Sequence, residues 1–166
     1  MATNRGKQFE AKFKEDILKI PGVSFDRLYD QVSGYKTISN ISDTVFYKFP
    51  EIFYMELKSI HGNTFPLVNL TQYDKLIQKK GIKGVRAGAV IWFVDRDEVI
   101  YVPIETFELV KKAGYKSIHV VKTDRNKYPI LHIPSVKKRV FMDSDYSVLF
   151  KDVKYYEDYN KETIIV

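Results

Sequence analysis

Apolar side chains recur at helical intervals near the start of the chain, at Phe9, Phe13, Ile17 and Ile20, among lysines, acids and glutamine. One apolar stripe with polar flanks is the signature of a helix lying on a core. Asn4 is a suitable N-cap and Pro21-Gly22 a stop, so the pattern predicts a helix over residues 4–19. Residues 23–29 read as a first strand, followed by a polar, glycine-containing loop over 30–40. The stretch ISDTVFYKFPEIFYMELKS, residues 41–59, alternates as two strands of a hairpin about Phe49-Pro50. A second helix over 70–80 follows, with Leu70, Tyr73, Leu76 and Ile77 on one side and Gly81 as its end. Residues 87–94 form a continuous apolar run, the pattern of a central strand covered on both faces. Asp95-Arg96-Asp97 turns this run into a strand at 99–102, and a third helix over 104–113 ends at Gly114. A strand at 117–121 and extended pieces at 128–134 and 138–142 complete the pattern. Helices mixed with strands in this order predict an α/β fold, a mixed sheet flanked by helices.

The hairpin contains an anomaly. A turn at Phe49-Pro50 puts Asp43 directly across from Glu56, where Cβ atoms are about 4.5–5.5 Å apart. A proline at the third turn position is disfavoured unless its peptide is cis, so the turn is open to a one-residue shift. Lys58 shares the face of Glu56, while Phe53, Met55 and Leu57 point the other way, toward the core. Facing like charges destabilise a hairpin unless something lies between them. A divalent cation would, and oxygen-only ligands select hard Mg²⁺ or Mn²⁺. The Leu57 carbonyl offers a third oxygen, and Lys58 can hold an attacking water or neutralise a phosphate. The plain alternative is a half-exposed strand with Glu56 and Lys58 in water, because Glu-x-Lys alone is a common pattern.

Composition narrows the partner. The chain has 166 residues and 45 % apolar content, suited to one domain, residues 1–166, with a real core. It has no cysteine, which excludes disulfides, thiolate metal sites and Cys nucleophiles. The N-terminus lacks the apolar segment of a signal peptide and no run is long enough to span a bilayer, so a cytoplasmic location without membrane contact is expected. A net charge of +6 suits a polyanion. Arg5 and Lys7 open the first helix, Lys75 lies on the second, and Lys79, Lys80, Lys83 and Arg86 cluster around two glycines. Such groups can track a DNA backbone or simply face solvent. Lys137-Lys138-Arg139 is a second cluster of the same kind. The three histidines lack zinc-site spacing: His61 follows the hairpin closely, and His119 and His132 fall in apolar strands. No Walker or dinucleotide glycine loop is present, so no nucleotide cofactor is expected.

The order Asn4-Arg5-Gly6 with Glu10, then Asp43, Glu56 and Lys58, then Thr64-Phe65-Pro66-Leu67 with Asn69-Leu70 resembles the RecU-type Holliday junction resolvases. The likeness runs over about residues 4–107, with a weaker echo at 139–146. It implies the restriction-endonuclease-like fold of the PD-(D/E)xK nucleases and a homodimeric, Mg²⁺-dependent endonuclease cutting four-way DNA junctions in recombination and repair. By this resemblance Glu10, Asp43 and Glu56 gather around the metal, Lys58 is the catalytic lysine and Gln72 stands beside the site. Those enzymes carry a long basic stalk before the catalytic Asp; here only residues 30–41 fill the interval, and Ser42 replaces the usual Thr. A compact, phage-like variant is the implied picture. A less selective nuclease of the same fold, such as a restriction or repair nickase, and a non-catalytic basic accessory protein are the other readings.

Overall fold

A computed structural model describes residues 2–33, 36–38 and 40–151. Helix α1 (Ala2–Ile17) forms on the predicted stripe, with Phe9, Phe13 and Ile17 buried. It starts two residues early, which places Asn4 inside the first turn rather than ahead of it. Strand β1 (Ser24–Arg27) follows Gly22, whose φ of 82° is open to glycine without strain. The interval read as a loop holds a small hairpin, β2 (Gln31–Ser33) and β3 (Lys36–Ile38).

The main hairpin pairs β4 (Thr44–Lys48) with β5 (Glu51–Ile60) in the expected register, from Lys48↔Glu51 to Thr44↔Met55. Phe49-Pro50 is cis, and the turn is not displaced. After β6 (Thr64–Pro66), the segment predicted as one helix over 70–80 is broken. A 3₁₀ turn at Leu67–Asn69, a short α2 (Tyr73–Leu76) and a second 3₁₀ turn at Ile77–Lys79 take its place. So short a helix has little stability of its own, and tertiary anchoring by Leu70 and Leu76, both buried, decides the path.

Strand β7 (Val85–Phe93) and β8 (Glu98–Pro103) join through a turn in which Asp97 is left-handed at φ 50°. Then come α3 (Ile104–Lys112), β9 (Ser117–His119), β10 (Leu131–Ile133), β11 (Ser135–Lys137), β12 (Met142–Ser144) and α4 (Val148–Lys151). Residues 138–141 are the turn between β11 and β12 rather than an extended piece, because Met142 pairs back to Lys137.

The central sheet has the order β1-β4-β5-β7-β8-β10. Only β5 and β7 run parallel within it; the other neighbours are antiparallel. On one face Phe9, Phe13 and Ile17 of α1 pack over Phe53, Met55, Leu57, Val90 and Trp92. On the other, Phe107 and Val110 of α3 pack with Ala89, Ile91, Phe93 and Ile100. That double coverage explains the uninterrupted apolar run of β7. Among the described residues no helix is long and apolar enough to cross a membrane.

Candidate active site

β4 stops at Thr44, but β5 carries on past Met55 with its outer edge uncovered by that partner. Asp43 takes over where the ladder ends. Its carboxylate Oδ2 accepts the Leu57 backbone N–H at 2.9 Å, as a strand carbonyl would have done. In return the Asp43 N–H donates to Glu56 Oε2 at 3.1 Å. Two side chains therefore continue the hairpin by one step. A strand residue's N–H and C=O point to the same edge, so the Leu57 carbonyl faces the Asp43 side. The loop leading in is held by Ser42 Oγ on the Thr44 carbonyl (2.7 Å) and Thr44 Oγ1 on the Met55 carbonyl (3.1 Å).

Glu56 is buried, only 2 % exposed, not solvated as an ordinary half-exposed strand would have it. Lys58 Nζ lies 3.0 Å from its Oε1 and remains partly exposed. Burial, and then the nearby Asp43 charge, push the Glu56 carboxyl up to about 7 against the opposing pull of Lys58. Glu10 sits on α1 within electrostatic reach of both Asp43 and Lys58; burial raises its carboxyl, and Arg27 opposes that. Arg27 Nη2 stands 2.6 Å from Glu10 Oε2, yet that buried oxygen makes no well-formed hydrogen bond.

Arg27 was not singled out in the sequence. The pairing of β1 with β4 sets it opposite Thr44, next to Asp43, and a sequence gives no direct sign of that pairing. Gln72 precedes α2 without capping it by its side chain, and no hydrogen bond joins it to Asp43, Glu56 or Lys58. Among the described residues no three of His, Asp and Glu converge into a ready-made metal cage. The site is a pair of acids with a lysine, and a third acid beside them.

The basic candidates divide. Lys7 and Lys83 are exposed. Arg5 is exposed and bonded to His61 at 2.9 Å. Lys80 pairs with Glu108 at 2.5 Å and Arg86 with Glu51, so their charges are already answered within the fold. Lys79 lies over the Tyr54 ring at 4.9 Å, and Lys75 is half-buried. Of the other histidines, His119 Nδ1 accepts the N–H groups of Val121 and Lys122, both at 3.1 Å. His132 is exposed on β10, not enclosed as an apolar strand suggested.

No family profile matches this sequence, and no curated protein matches it either. Among solved structures the chain is similar to Hjc of Archaeoglobus fulgidus, a Holliday junction resolvase from an archaeal hyperthermophile, with a TM-score of 0.51 at 18 % identity. The match covers 75 % of this chain and 92 % of that one. The mixed sheet flanked by helices is thus a fold that this chain shares with that structure.

Proposed function

We propose that this protein is a divalent-metal-dependent, structure-selective DNA endonuclease, a Holliday junction resolvase of RecU-like type that acts as a homodimer. The carrying observation is the Asp43–Glu56 pair at the uncovered edge of β5, with Lys58 alongside, on a fold shared with a junction resolvase.

Two acids with an outward carbonyl are a donor set for a hard cation, since Mg²⁺ commonly takes one or two carboxylates and keeps waters. Burial and the Asp43 charge disfavour the ionised form of Glu56, and a buried Glu10 oxygen lacks a well-formed hydrogen bond; a bound cation would relieve both. Asp43, Glu56 and the Leu57 carbonyl would hold Mg²⁺ or Mn²⁺, with Glu10 at its outer side. The bound ion would supply polarisation of the phosphodiester and an ionised water. Lys58, preorganised by its contact with Glu56, places an ammonium where charge grows on the phosphate during attack. Arg27 restrains Glu10 near the centre. Gln72 is assigned a supporting place beside the site. Arg5, Lys7, Lys75, Lys79 and Lys83 supply phosphate contacts, while Lys80 and Arg86 would have to exchange an internal partner for DNA. Paired cuts across a four-way junction call for two such sites related by two-fold symmetry.

The test compares a labelled four-way junction with linear duplex of the same sequence, each with Mg²⁺ and with chelator. The expected result is Mg²⁺-dependent nicking of the junction in preference to duplex. Equal cutting of both would indicate a less selective nuclease, and binding without cutting an accessory DNA-binding protein.

A further inference from the structure

The start of α1, the end of β5 and the β7–β8 turn meet through three exposed side chains. Arg5 Nη1 lies 2.9 Å from His61 Nε2, and His61 Nδ1 lies 3.0 Å from Asp95 Oδ1. The Gly62 N–H donates to the other Asp95 oxygen at 2.7 Å. The chemistry fixes the direction of this chain. A guanidinium can only donate, so Nε2 of His61 accepts; the neutral imidazole then carries its proton on Nδ1, which donates to Asp95. The Gly62 N–H and then His61 hold the Asp95 carboxyl below the usual carboxylate range.

Such contacts at the surface add little to stability, whereas fixing an arginine side chain forfeits its rotamer freedom. The arrangement makes physical sense if the ordered guanidinium has a use. One corner of the fork is held by His61, and the rest suits a phosphate, which arginine grips in bidentate fashion. Arg5 stands about 7.5 Å along α1 from Glu10 at ~1.5 Å per residue. His61 stands about 10 Å beyond Lys58 at ~3.3 Å per residue. Measured along a duplex axis, at ~3.4 Å per phosphate of one strand, these separations are roughly two to three steps.

We propose that His61 and Asp95 are positioning residues that aim the Arg5 guanidinium at a DNA phosphate flanking the one cut at the Asp43–Glu56 centre. The proposal rests on the DNA-nuclease reading above but is tested on binding alone, so the two can fail separately. The affinity of a labelled four-way junction is measured against salt in chelator, where no cleavage occurs. Arg5→Ala should lower the salt slope by roughly one unit. His61→Ala should weaken binding roughly three- to tenfold in the wild-type background and have no further effect beside Arg5→Ala, because linked residues are not additive. His61→Gln, whose amide keeps one acceptor and one donor, should restore binding.

Asp95→Ala gives the sharpest sign. Removing a negative charge beside DNA should tighten binding by simple electrostatics, but loss of the tether should loosen it. Loosened binding by Asp95→Ala, absent beside Arg5→Ala, supports the proposal. Unchanged or tighter binding overturns it, as does a His61→Ala effect that is absent or equal in both backgrounds. A wild-type protein that binds the junction but never cuts it with Mg²⁺ would remove the nuclease reading while leaving this result standing.

Discussion

Asp16 and Glu56 are both buried carboxylates, 3 % and 2 % exposed, and the protein treats them in opposite ways. Asp16 accepts Lys12 at 2.6 Å, Lys19 at 3.2 Å and the Ser144 N–H at 3.0 Å. Lys12 in turn reaches Asp143 at 2.5 Å, which fastens the β11–β12 hairpin to α1. Burial alone would push the Lys12 ammonium down, but Asp143 and Asp16 outweigh it and hold it above its ordinary value. Glu56 has one lysine and one N–H, and it faces a second acid. A buried acid with cationic and N–H partners is part of the scaffold; one left facing another acid is suited to a cation from outside.

The largest expected effect breaks the first half of that contrast. Asp16→Ala takes one carboxylate from the buried Lys12, which keeps Asp143, and leaves the Ser144 N–H unpaired, and should cost ~3 kcal/mol in urea unfolding. Glu56→Gln should cost nothing comparable at pH 8, and a loss as large as that of Asp16→Ala would erase the distinction. Next in size is Lys58. Its replacement by alanine should slow single-turnover junction cleavage ~10²–10³-fold with little change in affinity. Lys58→Arg should rescue poorly, because a planar guanidinium cannot put its charge where a compact ammonium sat. A normal rate with only a lower salt slope would make Lys58 a surface phosphate contact.

The smallest effect concerns pH. The folded protein holds the Glu56 proton up to about 7, against an ordinary value of 4.5. The stability this group contributes is therefore full below about 4.5 and is lost as pH rises through about 7. Glu56→Gln should flatten that fall, seen as melting temperature against pH. Because the cation needs the ionised carboxylate, Mg²⁺ should raise the melting temperature clearly at pH 8 and little at pH 5. Equal stabilisation at both would mean that Glu56 is not a ligand.

Much of this centre was legible from local pattern. The β4–β5 register follows from period two and a turn at Phe49-Pro50, and it carried Asp43, Glu56 and Lys58 to one place. The α1 stripe and the doubly covered β7 were equally plain. What stayed hidden depends on contacts distant in sequence. Arg27 reaches Glu10 only because β1 returns beside β4. Asp95 meets His61 across two strand ends, and Arg86 and Lys80 find Glu51 and Glu108 instead of open solvent. The segment 70–80 misled because its apolar spacing suits a helix, while its anchoring to the core decided the fold.

The most direct measurement is nicking of a labelled four-way junction in Mg²⁺ by the wild type and by Asp43→Asn, with binding followed in parallel. The substitution keeps the shape of the side chain and removes one negative charge from the pair. Cleavage should be abolished by it while junction affinity holds or improves, since in the proposed function affinity would come from distant lysines and arginines. Asp43→Asn cutting the junction at the wild-type rate would contradict the assignment of the β5 edge as the catalytic centre.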